Sequence, residues 1–244
     1  MTSSHDGPDS DTVQRRGGTE DRTDRQGEHR ADWGNGDENV AGGRNGSDGD
    51  EWGPFLRDIA VSVAAVLLLG AYLFAISGVW PPMVAIESGS MEPNMEVNDL
   101  AFVMDTDRFQ PSAATEVGPG DTGVVTAEVG AETGYTQFGD SGDVIVYRPD
   151  GDSRRTPIIH RAMLWVDAGE DWTDRANPAY LGNAESCEQV PACPAPHSGF
   201  ITKGDDNPTY DQAGNQISAP VRAEWVVGTA EVRVPGLGWF SIQL

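Results

Sequence analysis

Residues 59–80 read IAVSVAAVLLLGAYLFAISGVW, 22 residues from Ile59 to Trp80 without a charged side chain. At ~1.5 Å rise per residue, a helix over this stretch crosses the ~30 Å hydrocarbon layer of a bilayer. A cleaved signal peptide is the competing reading, but the apolar run is too long and starts too far from Met1. The stretch therefore predicts a retained transmembrane anchor over residues 55–80, and a chain of 244 residues leaves room for one compact domain, 81–244.

Working outward, residues 1–54 form an acidic tail whose first 50 or so are mostly Gly, Asp, Ser, Arg and Asn. That composition buries too little apolar surface to offset the entropy of ordering, so the tail is expected to be disordered. Arg44 and Arg57 precede the apolar run, whereas Pro81 to Asp107 contains no Lys or Arg. By the positive-inside bias, the tail is expected in the cytoplasm and the domain outside the cytoplasmic membrane, on a single-pass chain.

The chain carries 39 Asp+Glu against 16 Lys+Arg, a formal charge of -23. This excess repels phosphates and argues against nucleic acid or a polyanionic substrate as partner. Lys203 is the only lysine. An acidic balance of this kind resembles proteins of salt-loving archaea, where salt screens the self-repulsion.

Beyond the anchor the apolar runs are short, bounded by Gly, Pro and Asp, and strand-like: Val84 to Ile86, Leu100 to Met104, Val144 to Tyr147, Pro157 to Ile159, Phe200 to Thr202, Trp225 to Val227 and Ala230 to Val234. With no long amphipathic helix visible, the exterior domain is expected to be mainly β, with polar insertions around 112–140 and 167–198. Cys187 and Cys193 lie in the second insertion. An oxidising exterior would let them pair; free thiols, or a zinc half-site with His197, are the alternatives.

Four stretches carry candidate chemistry. Ile86-Glu87-Ser88-Gly89-Ser90-Met91-Glu92-Pro93 puts a serine beside a glycine that admits close approach of another backbone. Gly142 to Tyr147 is a turn entering an apolar strand, and Ile158-Ile159-His160-Arg161 ends in a histidine. Thr202-Lys203-Gly204-Asp205-Asp206-Asn207-Pro208-Thr209-Tyr210-Asp211 concentrates carboxylates in a turn. A serine hydroxyl needs a nearby base. His5 and His29 lie in the tail, leaving His160 and His197 as candidates.

In this order after an N-terminal anchor, the stretches resemble type I signal peptidase, specifically its archaeal and endoplasmic-reticulum branch, over roughly residues 55–235. The resemblance implies a signal-peptidase-like β catalytic module that cleaves signal peptides of secretory preproteins after small residues. It puts the nucleophile at Ser90, and puts His160 where the bacterial branch has a lysine base. The acidic residues of its K-G-D-x-N-x-x-x-D pattern fall on Asp205 and Asp211, with Asp206 an extra neighbour. Asp205, directly after Gly204, starts from the more rigid position and is the expected partner of His160, with Asp211 supporting it. Ser88 is the expected side-chain donor to the oxyanion, and Met83, Val84, Ala85 and Ile86 the strand lining the substrate pockets. No metal or cofactor is implied; membrane lipid and the export machinery are further expected partners. A membrane-anchored, non-catalytic cell-surface β domain remains the alternative from another class, and a protease with a narrower clientele is a third reading.

Overall fold

The computed structural model describes residues 52–116, 118, 120, 122–214 and 216–240. The expected tail lies outside the described residues, except that residues 52–54 already belong to the first helix, α1 (Trp52–Ser77). At 26 residues, α1 is long and apolar enough to cross a membrane, and its side chains are exposed along nearly all its length. It stops three residues short of the expected Trp80. Gly78 adopts φ +76° and its N–H bonds Phe74 O (2.8 Å), a left-handed exit that favours glycine. Arg108 then donates to the terminal carbonyls of Ala75 (2.6 Å) and Ile76 (3.1 Å). A side chain at position 78 would meet the Arg108 guanidinium at 2.7 Å.

Beyond α1 the protein is mainly β. The elements are β1 (Met83–Ala85), β2 (Leu100–Met104), a short α2 (Ala127–Thr133), a small hairpin of β3 (Thr136–Gln137) and β4 (Asp140–Ser141), β5 (Val144–Tyr147), β6 (Ile158–Val166), β7 (Gly199–Lys203) and β8 (Val226–Val234). Six strands form one antiparallel sheet in the order β1-β2-β8-β5-β6-β7. Sequence reading located β2 and β5 to the residue. It split β8 in two, because Gly228 and Thr229 interrupt the apolar run, and it cut β6 at Ile159, because His160 and Arg161 read as a polar end. In β1, Met83 belongs to the strand and Ile86 does not.

The central strand β5 is buried at all four positions. Val144 and Val146 pack with Ala101, Val103 and Ala230, while Ile145 and Tyr147 pack with Ala162, Phe200 and Val221. Apolar cover on both faces explains why this strand reads as a continuous rather than an alternating apolar run. A further cluster lies between the sheet and the 167–198 insertion, where Trp172, Leu181 and Val190 meet Leu164, Val166 and Ile201. Within that insertion, Cys187 and Cys193 form a disulfide.

At the head of β5 the fold buries a carboxylate. Asp143 accepts the Val125 N–H (2.7 Å) and the Tyr135 hydroxyl (2.7 Å), stapling the 122–126 segment and the chain after α2 to the sheet. Burial pushes its carboxyl up to about 6 despite the opposing pull of those two hydrogen bonds. The Tyr135 hydroxyl is driven upward as well, mainly by burial, and so stays a donor. A carboxyl raised from about 4 in the unfolded chain costs nothing while protonated in both states. Its cost grows as pH rises through the window from about 4 to about 6, reaching about 3 kcal/mol above it. Asp143→Asn should therefore gain stability relative to wild type by up to this amount between pH 4 and 7, read from urea unfolding of the detergent-solubilised chain. A constant difference across that range would refute the assignment.

Candidate active site

Ser90 sits in a single 3₁₀ turn, Gly89–Met91, whose apolar flanks hold it against the sheet: Ile86, Met91 and Met95 are buried in the cluster containing Ala101, Val144 and Ala230. The polar tip of the turn is left at the lip. From the other side, the Asp206 N–H donates to Ser90 O (2.9 Å).

His160 lies where two ladders part. β6 pairs with β5 over Ile158–Arg161, but with β7 only from Arg161 onward, starting at Arg161↔Lys203. The chain after Lys203 turns away, and His160 occupies the opening, buried except for its approach to Ser90. Its Nε2 is 3.0 Å from Ser90 Oγ and its Nδ1 is 2.6 Å from Asp211 Oδ2. Asp211 is buried, and the same oxygen accepts the hydroxyls of Thr202 (2.7 Å) and Tyr147 (2.9 Å). Its backbone N–H pairs with Thr202 O (2.9 Å), so the 203–211 loop leaves β7 and returns to it. Tyr147 is pushed well above its ordinary value by burial and the neighbouring Asp211 charge, which keeps it a donor.

The expected partner of His160 was Asp205, and here the structure corrects the sequence reading. Asp205 receives Arg161 in a two-pronged ion pair, Nε to Oδ1 at 2.8 Å and Nη2 to Oδ2 at 2.7 Å, and it also accepts Asn94 Nδ2 (2.8 Å). Arg161 further donates to Gln137 O (2.9 Å) and Gly142 O (2.8 Å), tying the β3–β4 hairpin to the loop. The stiffness expected of Asp205 is real, but it serves the guanidinium. Asp206 is exposed and contributes its backbone N–H.

Gly204 explains how the loop approaches so closely. A Cβ there would lie 2.6 Å from Ser90 O and 2.9 Å from His160 Nε2. Lys203 is spent on the loop, donating to Gly204 O (2.7 Å), Asn207 O (2.8 Å) and Asp205 O (3.0 Å). Burial lowers its pKa.

Ser88 Oγ is 3.2 Å from Ser90 Oγ, on the same lip. A groove of about 630 Å³ opens beside it, lined by Met83, Val84 and Ala85 on one side and Pro157, Ile158 and Ile159 on the other, with Ser90 and His160 at its end. Ile86, expected among the pocket residues, is instead in the core. His197 packs edge-on against Trp225 (5.2 Å) and bonds Ser198 O. With both cysteines in the disulfide, the zinc half-site has no thiolates to offer.

No protein-family model matches the chain. It is similar to the signal peptidase complex catalytic subunit of Aspergillus oryzae, 24% identical over 192 residues that make up 76% of this chain and 76% of that protein. It is likewise similar to the corresponding subunits of Paracoccidioides lutzii (24%; 77% and 78% covered) and Komagataella phaffii (22%; 78% and 81% covered). These likenesses support the type I signal peptidase family. Together with α1 they also support a single-pass membrane protein.

Sequence reasoning missed Tyr147, Thr202, Arg161 and Asn94. The first three stood inside the quoted stretches without a role. A strand-ending tyrosine and an arginine next to the histidine were the available signals. Arg161→Met strands the buried Asp205 charge and should lower unfolding free energy by about 3–5 kcal/mol, whereas Arg161→Met/Asp205→Leu should recover most of it. Equal losses in the single and double variants, measured by chemical denaturation, would contradict the pairing.

Proposed function

We propose that the protein is a membrane-anchored serine endopeptidase that removes signal peptides from exported preproteins, with Ser90 as nucleophile, His160 as general base and Asp211 as the carboxylate that orients it. One observation carries the reading: Ser90 Oγ, His160 and Asp211 form a continuous hydrogen-bonded chain at the end of an apolar groove. Nucleophile, base and orienting group in this geometry are the requirement for acyl transfer.

The groove suits an extended peptide. Among the described residues β1 pairs only with β2, and β6 lacks its β7 partner over Ile158 to His160, so two strand edges border the same space. Main-chain pairing along them gives affinity, and the apolar walls select small side chains before the cut. Ser90 attacks the carbonyl of the last signal-peptide residue as its proton passes to His160 Nε2. The imidazolium then protonates the departing amine, leaving an acyl-enzyme that water, deprotonated by the same nitrogen, hydrolyses. The Ser90 N–H and the Ser88 hydroxyl stabilise the oxyanion. Asp205 acts at a distance, through Arg161 and the fixed loop.

The domain works on the outer side of the cytoplasmic membrane, where signal peptides emerge beside the export machinery. The disulfide between Cys187 and Cys193 supports that side. The acidic excess suits work at high salt.

Ser90→Ala and His160→Ala should each abolish cleavage of a secretory precursor at matched protein levels, and Asp211→Asn should lose far more turnover than substrate binding. Precursor processing at the normal rate by either of the first two variants would overturn the assignment and favour a non-catalytic surface domain. Protease added to sealed right-side-out vesicles should reach the 167–198 insertion and spare residues 1–50; the reverse pattern inverts the orientation.

A further inference from the structure

Between β6 and β7 the chain makes a 32-residue excursion, 167–198, that contributes nothing to the groove or to the Ser90 hydrogen-bonded chain. Its apolar residues converge instead on Tyr210, the residue preceding Asp211. Tyr210 is buried, edge-on to Trp172 (5.9 Å) and Tyr180 (5.5 Å). Its N–H donates to Tyr180 O (3.0 Å), and its hydroxyl accepts the Asn177 N–H (3.0 Å). Three residues of the excursion therefore grip one side chain from three directions.

The grip is braced in turn. Trp172 Nε1 donates to Ala192 O (2.9 Å), inside the ring closed by Cys187 and Cys193. Tyr180 also lies under the Lys203 ammonium (4.6 Å), which holds the carbonyls of Gly204, Asp205 and Asn207. One excursion thus buttresses both ends of the 203–211 loop.

We propose that the disulfide-closed excursion sets the position of Asp211, with Tyr210 as the positioning residue through which Trp172, Tyr180 and Asn177 act. The proposal rests on the peptidase reading above. The hydroxyls of Thr202 and Tyr147 aim the carboxylate, and the Asp211 backbone is held by its own N–H on Thr202 O (2.9 Å) and by the Ile217 N–H on its carbonyl (2.7 Å). Its neighbours extend this hold: Gln212 Oε1 accepts the Thr202 N–H (2.8 Å) on the C-terminal side, and on the N-terminal side Tyr210 ties the loop to the excursion. Without that clamp the carboxylate drifts from His160, and a displacement of about 1 Å costs on the order of 100-fold in rate.

The test measures kcat and KM for the full chain in liposomes, with a precursor peptide as substrate. Tyr210→Ala should lower kcat by about 10- to 100-fold with KM within about twofold. Tyr210→Phe keeps the rings packed and should stay within about threefold of wild type. Cys187→Ala/Cys193→Ala should lower kcat in the same way by a smaller amount. An unchanged kcat in Tyr210→Ala, or a loss confined to KM, overturns the proposal. If that variant does not accumulate, Trp172→Phe, which keeps a ring but loses the bond to Ala192 O, is judged by the same split between kcat and KM. Cleavage by wild type that survives Ser90→Ala would instead sink the peptidase reading.

Discussion

The site depends on a ladder that ends early. β6 and β7 stay paired up to Arg161↔Lys203 and no further, so His160 on one strand and Gly204 on the other face a gap rather than each other's backbone. Into that gap the Ser90 turn is drawn by Asp206 N–H, and only a residue without a side chain at 204 lets it come close enough to meet His160. A β-bulge follows at once, between Ala162 and Leu164, so the strand that is regular against β5 is re-aimed just past the histidine. An uninterrupted β6–β7 ladder would have filled the opening where the serine now sits.

How much of this was legible follows from which forces are local. The anchor, β2 and β5 announce themselves because each is a continuous run of apolar residues that can be read without knowing what it packs against. The serine and the histidine that meet at 3.0 Å were singled out through the order of short motifs. The partner of the histidine was not, and the reason is geometric. Asp205 and Asp211 differ by six positions, and only the return of the loop onto Thr202 decides which one arrives behind the imidazole. Rigidity next to a glycine was a sound argument about Asp205 and a poor one about its partner, because it took no account of Arg161. The 167–198 excursion was legible only as a polar insertion, since its apolar residues are spaced by turns and converge on Tyr210 solely in three dimensions.

Charge is divided between surface and interior by different rules. Among the described residues most acidic side chains are exposed, where solvent and salt screen them and individual pairs such as Arg154–Asp152 add little. Inside, the charged groups near the site are each matched to a partner: Arg161 to Asp205, and Lys203 to three carbonyls. An arginine suits the first task because its fork satisfies a carboxylate with two hydrogen bonds and keeps further donors for backbone oxygens. The sole lysine suits the second, as a compact charge with three donors.

Asp211 is the exception to that matching, and the exception is informative. All three of its donors fall on Oδ2, while Oδ1 is buried and has no hydrogen-bond partner among the described residues. A buried acceptor left unmade costs about 1–3 kcal/mol, whereas Oδ2 is fully engaged. The two hydroxyls are neutral; they aim the carboxylate without neutralising it. A directly hydrogen-bonded countercharge appears when His160 takes up a proton, which in the proposed reaction happens as the serine attacks. Stabilisation withheld in the ground state and supplied in the transition state is what lowers a barrier. Asp205 could not serve in this way, because Arg161 compensates it permanently and leaves no charge waiting for an imidazolium. The division of two neighbouring carboxylates between a fixed cation and a switchable one therefore decides which of them can take part in chemistry.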